Sequence, residues 1–344
     1  MREKVLKIDL NGLRENALAF KRLTERFVYA VVKADAYGHG SIAVVSALYP
    51  VADGFAVALV REGLAIRTAA CGKEILVFTP PASEDEVLLA ARNGLTLTAG
   101  DLRSARCIVE TAKKYGVNVC VQVKINTGMN RYGTYGANLG KVCKILKESG
   151  QVRIQGVYSH LYSHDKTLCE RQRLRFCRDL KIVRSYFPLA RAHLAATYGV
   201  GLGKEYYFDA VRIGLGLYGY FPFGKSPVEL RPIMKVYAPC AACRQYHFGG
   251  MGYGDLREDL SGKTVSVLRA GYADGTGVSG AQCGLLPEVT SEICMDVCFA
   301  LGEKRRTKLV LLFDDAAAVA SERGSSVYEI LCLAALRSQR IYYG

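Results

Sequence analysis

The residue types best suited to chemistry stand where short apolar segments of this 344-residue chain end. Lys33 closes the apolar segment that begins at Phe27. A lysine in such a place loses contact with water, which lowers its pKa and suits it to Schiff-base formation with a carbonyl compound. From position alone, a strand-end lysine that reaches solvent is the simpler interpretation, and a nucleophilic role for Lys33 is the alternative.

Three more apolar segments end in stretches that contain cationic or titratable side chains, residues 124–131, 159–160 and 211–219. Taken singly, each of these side chains is also compatible with an ion pair or with a buried structural histidine. The glycines that follow Arg212 leave backbone N–H groups open, which suits a phosphate. Together the segments predict one rim that carries Lys124, Arg131, His160 and Arg212.

The elements that must position these residues alternate along the first two thirds of the chain. Eight short segments rich in β-branched or aromatic residues are separated by segments of helical period. This order predicts an N-terminal (β/α)₈ barrel of the TIM type, with functional residues at the carboxyl ends of its strands; an open doubly wound sheet is the alternative. The predicted strands are residues 27–33, 54–59, 74–78, 95–98, 117–125, 154–160, 190–195 and 209–212, and the predicted helices include 13–24, 101–115 with Asp101 as N-cap, and 166–186.

A C-terminal, mostly β domain is expected after the barrel, because strands then follow one another with glycine-rich turns. The first predicted strand is separated from the barrel by a helix, so we expect it to pair with this second domain. The predicted strands are residues 5–10, 234–246, 264–268, 289–301 and 308–312, and the expected division of the chain is 1–10 for the N-terminal strand, 11–228 for the barrel and 229–344 for the β domain.

Composition excludes several classes of protein. Half of the residues are hydrophobic and 23% are charged, which is typical of a packed globular protein and not of a disordered chain. The net charge of +14 raises the question of a nucleic-acid partner, but the basic residues are scattered, so we expect none. Apolar segments are too short for a membrane span or a signal peptide, so we expect a cytoplasmic protein without a membrane partner.

The twelve cysteines lie inside apolar segments, and we expect reduced thiols and no disulfide framework. Cys240 and Cys243 have the spacing of one pair of cysteine ligands in a zinc site. They lack a second pair at zinc-finger spacing, so we expect no metal.

Residues 32–40, VKADAYGHG, resemble the pyridoxal phosphate attachment motif of the alanine racemases. Further motifs resemble that family in its own order along nearly the whole chain. The family's fold is a (β/α)₈ barrel followed by a β domain, which agrees with the architecture that the order of elements predicts. The further motifs are NTGMNR at 126–131, SH at 159–160, VRIG at 211–214, GYG at 252–254, GYADG at 271–275 and CMD at 294–296.

The resemblance implies a pyridoxal phosphate-dependent enzyme that interconverts L- and D-alanine and supplies D-alanine for peptidoglycan precursors. Lys33 would form a Schiff base with the cofactor and act as one catalytic base, and Tyr253 would act as the other across the interface of a homodimer. A tyrosine serves as a base only where positive charge favours the phenolate, and we expect Arg212 and His160 to supply that charge.

The resemblance also implies the residues that would hold the cofactor and the substrate. The phosphate would be held by Tyr37, Thr197, Gly214 and Leu215, the pyridine nitrogen would face Arg212, and the phenolic oxygen would face Arg131. His160 would join the hydrogen-bond network of Tyr253 and Arg212, and Lys124 matches a lysine that is carbamylated in many members. The substrate would be contacted by Met295, Tyr272 and Arg131.

The chain departs from the family pattern around the entrance. Thr197 stands in place of a serine and keeps its hydroxyl, whereas Leu336 takes the place of a tyrosine that reaches the phosphate. Residues 276–289 form a short segment, and Val278 and Glu292 replace arginines of the substrate corridor. We therefore expect alanine as the best substrate, serine as a better substrate than for a typical member, and weaker cofactor binding.

Other functions are open at this point: a racemase that prefers serine or another small amino acid, a decarboxylase on the same barrel, and a protein that binds the cofactor without catalysis. A decarboxylase would have a different second domain and a cysteine and histidine pair for the product proton, and the GYG motif argues against it. A cofactor carrier of the barrel type would end near residue 230, and the additional residues with Tyr253 argue against that.

Overall fold

The structure is a computed structural model that describes residues 3–253, 260–276, 289–290, 293–304 and 308–344. These residues build a closed barrel of eight parallel strands with helices around it, and a second, mostly β unit. This is the predicted fold class.

The chain begins with strand β1 (Lys4–Asp9) and helix α1 (Leu10–Thr24), and then enters the barrel. The barrel strands are β2 (Phe27–Val31), β3 (Gly54–Val57), β4 (Glu74–Val77), β5 (Thr96–Ala99), β6 (Val119–Lys124), β7 (Val152–Tyr158), β8 (Arg191–Ala196) and β9 (Ala210–Ile213). They pair in chain order, and β9 closes the barrel on β2. All eight predicted strands are present, with ends shifted by two residues or fewer, as is usual where strands fray.

Helices on the outside of the barrel connect the strands and begin where the sequence offers capping carboxylates. Asp101 accepts a hydrogen bond from the Ser104 N–H at 2.8 Å, and Asp165 accepts one from the Leu168 N–H at 2.8 Å. Both helix starts agree with the predictions. The connecting elements are the short left-handed turn α2 (Lys33–Tyr37) and the helices α3 (Ser41–Leu48), α4 (Val60–Ile66), α5 (Glu84–Arg92), α6 (Leu102–Tyr115), α7 (Gly136–Glu148), α8 (Lys166–Tyr186) and α9 (Thr197–Val200).

The second unit contains a sheet around the long strand β10 (Met234–Gln245). Its other elements are β11 (Thr264–Leu268), β12 (Val289–Thr290), β13 (Cys298–Leu301), β14 (Leu309–Phe313), α10 (Ala316–Arg323), α11 (Val327–Ala334) and β15 (Ser338–Tyr343). The strand order is β12-β13-β11-β10-β1-β15, and β14 also pairs with β10. The N-terminal strand β1 therefore lies inside this sheet, antiparallel to β10 and parallel to β15.

The single strand predicted over residues 289–301 is wrong. The described residues of this segment form two antiparallel strands, β12 and β13, with Val289 opposite Ala300. The chain reverses between them, where the Cys294 N–H donates to the Val297 carbonyl at 2.9 Å. The sequence analysis also missed α10, α11 and β15, because these short elements lack a clear period of their own.

The interior of the barrel contains buried polar side chains as well as aliphatic ones. Gln122, His193 and Arg212 are all buried, and Arg212 is among the largest fully buried side chains. Buried polar groups persist where their hydrogen bonds are made, so these residues point to a specific arrangement inside the barrel. Within the described residues, no helix combines the length and apolar character that a membrane crossing requires.

Candidate active site

The predicted rim residues meet in one cavity of about 480 Å³ at the carboxyl ends of the barrel strands. This is the place where a barrel of this type carries its functional groups. Nine residues singled out from the sequence line it: Lys33, Tyr37, Lys124, Arg131, His160, Thr197, Arg212, Gly214 and Leu215.

A left-handed turn follows Lys33 at the end of β2. Residues 34–37 all have positive φ angles, between 51° and 56°, although none of them is glycine. Each such residue costs about 1–2 kcal/mol, so neighbouring groups must hold the turn in place. The Glu62 carboxylate accepts hydrogen bonds from the Ala34 N–H at 2.8 Å and the Ala58 N–H at 2.7 Å, and so fastens the turn to the start of α4.

Glu62 is a residue that the sequence analysis missed. Its position three residues after Leu59 is the usual place for a glutamate that caps a helix, and this signal predicts a helix start. The signal does not reveal that the same carboxylate holds the turn behind Lys33, because residues 34 and 62 are distant along the chain.

Burial and neighbouring cations favour the neutral amine of both lysines in the cavity. Burial lowers the pKa of Lys33, and the Arg131 guanidinium lowers it further. Lys124 is fully enclosed, and burial together with Arg212 and Arg131 lowers its pKa well below the usual value. The Lys124 Nζ lies 4.3 Å from the ring centroid of Tyr158. Neutral amines are the forms that react with a carbonyl compound or with carbon dioxide.

The Arg212 guanidinium is held on several sides. Its Nη2 donates to the Ser159 carbonyl at 2.6 Å and to the Leu194 carbonyl at 2.9 Å, and its Nη1 donates to Nδ1 of His193 at 2.7 Å. Burial lowers its pKa to about 10, so it remains a cation at neutral pH. Arg212 therefore presents a fixed positive charge and no acceptor to the cavity.

His160 does not supply the positive charge that the sequence analysis expected of it. Its Nδ1 lies 3.3 Å from Nη2 of Arg212. Burial lowers the pKa of His160 well below its usual value, and Arg212, Lys124 and Arg131 lower it further. The imidazole is therefore neutral, and the charge beside it comes from the arginines.

Thr197 and the backbone after β9 form a cradle that fits an anionic group. The Thr197 Oγ1 accepts hydrogen bonds from the N–H groups of Gly214 and Gly216, both at 3.2 Å, so its own proton is free to donate. A Cβ on Gly214 would lie 2.8 Å from the Tyr37 hydroxyl oxygen, which explains the glycine. Burial raises the pKa of Tyr37, so its phenol also stays a donor.

Three predicted residues lie away from the cavity of their own chain. Tyr253 is 78% exposed, Tyr272 36% and Met295 50%, and none of the three lines the cavity. The segments of Tyr272 and Met295 adjoin, since the Ala273 N–H donates to the Met295 carbonyl at 3.0 Å. We refer to Tyr253, Tyr272 and Met295 as the outer group.

An aromatic ring at the cavity wall comes from Tyr328, which the sequence analysis missed. Tyr328 lies on α11, and its ring centroid is 5.8 Å from that of Tyr37. Leu336, expected at the entrance, lies beyond the end of α11. It is 45% exposed and does not line the cavity. Val278 and Glu292, and residues 277–288 in general, lie outside the described residues.

Comparisons with known proteins agree with this geometry. Residues 8–222 match the family described as "Alanine racemase, N-terminal domain". A curated alanine racemase from Streptococcus equi subsp. zooepidemicus is 30% identical over 371 residues, covering 99% of this chain and 98% of the relative. The solved alanine racemase of Clostridium difficile 630 has a TM-score of 0.88 and 27% identity, and the comparison covers 99% of this chain and 96% of that one.

The alanine racemase of Bartonella henselae, a structure with covalently bound pyridoxal phosphate, has a TM-score of 0.86 and 25% identity, with all of both chains covered. The family match covers more than half of this chain, and the curated relative covers nearly all of it. This protein is therefore an enzyme that belongs to the alanine racemase family.

Proposed function

We propose that this enzyme binds pyridoxal 5′-phosphate and racemises alanine with two bases, Lys33 and Tyr253. The observation that carries the proposal is the meeting of a lysine with a lowered pKa, a buried guanidinium and an anion cradle in one cavity. The cofactor has an aldehyde, a ring nitrogen and a phosphate, and the three features match these groups.

The described residues fit the cofactor in the following way. Lys33 would bind its aldehyde carbon, and Arg131 would face its phenolic oxygen. Arg212 would face its ring nitrogen, because a buried guanidinium can only donate there. The phosphate would be held by the cradle of Tyr37, Thr197, Gly214 and Leu215. When bound, the cofactor stabilises negative charge at the α-carbon of the amino acid.

Two proton carriers on opposite sides of the α-carbon account for racemisation. The Lys33 Nζ takes or returns the proton on one face, and a tyrosine hydroxyl does so on the other. Arg212 provides the positive charge that favours a phenolate next to the cavity, because His160 is neutral. Arg212 stays protonated and so keeps the ring nitrogen unprotonated, which disfavours reactions that need a stronger electron sink, such as transamination.

The second base would be the partner subunit's Tyr253 in a head-to-tail homodimer. In the chain described here, the outer group is exposed and lies away from its own cavity. A tyrosine placed there serves a cavity only if the cavity belongs to a second copy, and two-fold symmetry then completes both sites at once. Tyr272 and Met295 would contact the substrate in the same way.

Lys124 would carry a carbamate that orients Arg131. Carbamate formation requires a neutral amine, and burial of Lys124 lowers its pKa and so favours that form. The product would place a negative charge among Arg131 and Arg212, which are the cations that lower the pKa of the free amine.

Alanine is the proposed substrate, with serine as the next best. A single hydroxyl or methylene changes binding in a small apolar pocket by about 1–3 kcal/mol, so a site of this kind separates the two amino acids only modestly. A racemase that prefers serine would differ from this proposal only in the ratio of its activities toward alanine and serine.

The test is to incubate the purified protein with pyridoxal phosphate and with several L-amino acids separately, and to quantify D-enantiomers and released amine. We expect D-alanine as the main product and D-serine as the second. Released amine without D-enantiomer would replace the proposal with a decarboxylase. Bound cofactor without either product would identify a carrier. The Tyr253→Phe variant is the matched control, because it keeps the cofactor site and removes one base.

A further inference from the structure

A chain of hydrogen bonds leads from Arg212 through the interior of the barrel. Nη1 of Arg212 lies 2.7 Å from Nδ1 of His193, and Nε2 of His193 lies 2.6 Å from Oε1 of Gln122. The Gln122 amide nitrogen lies 2.7 Å from Oε1 of Glu74 and 2.9 Å from the Tyr29 hydroxyl. Gln122, His193 and Tyr29 are completely buried.

The far end of this chain is a carboxylate at the amino end of the barrel. Glu74 is the first residue of β4, and Arg191, the first residue of β8, pairs with it at 3.0 Å. The Tyr29 hydroxyl donates to the same carboxylate at 2.8 Å. A carboxylate that pairs with a guanidinium and accepts from a hydroxyl acts as a hydrogen-bond acceptor toward its neighbours.

The direction of every hydrogen bond follows from that carboxylate. Gln122 must turn its NH₂ group toward Glu74, so its carbonyl oxygen faces His193. An oxygen at 2.6 Å requires a proton on Nε2 of His193. A neutral imidazole then has its lone pair on Nδ1, where the Arg212 guanidinium donates. The opposite tautomer would place two N–H groups against each other at 2.7 Å.

We propose that Gln122 is a positioning residue that fixes His193 as the Nε2–H tautomer and thereby holds the Arg212 guanidinium in the cavity. Its importance for catalysis rests on the proposed function, in which Arg212 faces the cofactor's ring nitrogen. Neither Gln122 nor Glu74 lines the cavity, so both act through His193 and Arg212.

The surroundings of His193 support a single neutral form. Burial lowers its pKa well below the usual value, and the charges of Arg212 and Arg191 lower it further. Its ring stacks on Tyr158, with centroids 5.1 Å apart and an interplanar angle of 6°. The ring is therefore held in its plane, and its two hydrogen-bond neighbours decide which nitrogen carries the proton. The Gln122 carbonyl requires a proton on Nε2, and the Arg212 guanidinium requires a lone pair on Nδ1.

The test is ¹⁵N NMR of the protein labelled at its five histidines, measured without cofactor. A His193→Asn variant identifies the His193 signals. We expect a protonated Nε2 and an unprotonated Nδ1 that do not change between about pH 6 and 8. A protonated Nδ1 in the wild type would overturn the proposal.

Two variants test the role of the chain itself. Gln122→Met removes the acceptor for Nε2, and Glu74→Gln removes the charge that orients Gln122. In each variant the Nε2–H tautomer keeps only its contact with Arg212, so the signals of the two His193 nitrogens should shift as a fraction of the opposite tautomer appears. Tyr29→Phe leaves the contact of Gln122 with Glu74 in place and should keep the wild-type signals. Either variant suffices if the other does not fold, and an unchanged single tautomer in a folded variant would overturn the proposal.

Gln172→Met is the matched control, since Gln172 is equally buried but bonds to Thr127 and to the His160 carbonyl. It should leave the His193 signals unchanged. In the loaded enzyme, Gln122→Met should weaken cofactor binding about tenfold. The NMR measurement needs no cofactor, so a protein that fails to racemise alanine would contradict the proposed function and leave the result for His193 standing.

Discussion

The cavity at the barrel mouth and the outer group of the second unit differ in how their side chains are held. Arg212 is 2% exposed and donates to several fixed acceptors, whereas Tyr253 is 78% exposed. The geometry of the cavity is thus set by the chain's own fold. In the proposed homodimer, the position in which Tyr253 acts would be set by a second copy, and each chain would then contribute its cavity to one site and its Tyr253 to the other.

The difference extends to the chemistry that each region can perform alone. The cavity has a lysine, a fixed guanidinium and an anion cradle, which are the groups that would bind the cofactor in the proposed function. It has no tyrosine base from its own outer group. We therefore expect cofactor binding to depend on the cavity and turnover to depend on both regions, and the following predictions use that separation, from the largest expected effect to the smallest.

The largest effect is expected for Lys33→Ala. This variant removes the covalent attachment point and one base, so the visible absorption band of the bound cofactor and all racemisation should disappear. Borohydride reduction of the wild type followed by peptide mapping should find the cofactor on Lys33. Lys144→Ala, at an exposed lysine, is the control. Cofactor on any other lysine would contradict the assignment.

The shared site is tested by mixing two inactive variants, Lys33→Ala and Tyr253→Phe. If subunits exchange at random, half of the dimers are mixed and each has one intact site, so about a quarter of the wild-type activity should return. Each variant kept alone under the same conditions is the control. Absence of activity despite proven exchange would show that each chain uses its own Tyr253.

Removal of the Lys124 amine should act on turnover more than on cofactor binding. Lys124→Met deletes the proposed carbamate, and loss of a charged hydrogen bond of about 1.5–3 kcal/mol should lower kcat roughly tenfold or more. Because burial lowers the pKa of Lys124, its amine is neutral at lower pH than an ordinary lysine, and the carbamate should form there as well. A ¹³C signal after incubation with labelled bicarbonate, absent in Lys124→Met, is the measurement.

The anion cradle is tested by Thr197→Val. This variant keeps the shape of the side chain and removes the hydroxyl, so the cofactor should bind more weakly by about 0.5–1.5 kcal/mol, or two- to tenfold. Thr111→Val, at a buried threonine on α6, is the matched control. Equal affinity in Thr197→Val, measured by titration of the absorption band, would remove Thr197 from the phosphate site.

The smallest effects concern the aromatic wall. Tyr328→Leu should change the ratio of alanine to serine turnover by no more than about 1 kcal/mol, because it alters one wall of the cavity and leaves both proposed bases and the anion cradle in place. Leu336→Tyr should change this ratio and the cofactor affinity less, because Leu336 lies outside the lining. A larger effect of Leu336→Tyr than of Tyr328→Leu would restore Leu336 as the entrance residue that the sequence suggests.

The sequence by itself determined the barrel and the residues on its rim. Alternation of β-branched and helical segments is a local property, and strand ends can be read from it, so the rim positions of Lys33, His160 and Arg212 followed directly. The resemblance of the attachment motif added the identity of the cofactor as an expectation, because the motif is a continuous segment.

Only the tertiary structure decided how those residues are held and charged. Glu62 fastens the turn after Lys33, and Tyr328 lines the cavity whereas Leu336 does not, through contacts between distant segments. His160 is neutral because burial and two arginines, Arg212 and Arg131, lower its pKa together. Hydrogen bonds and pKa values of this kind depend on distances in space and on exclusion of water, and neither can be read from the order of residues along the chain.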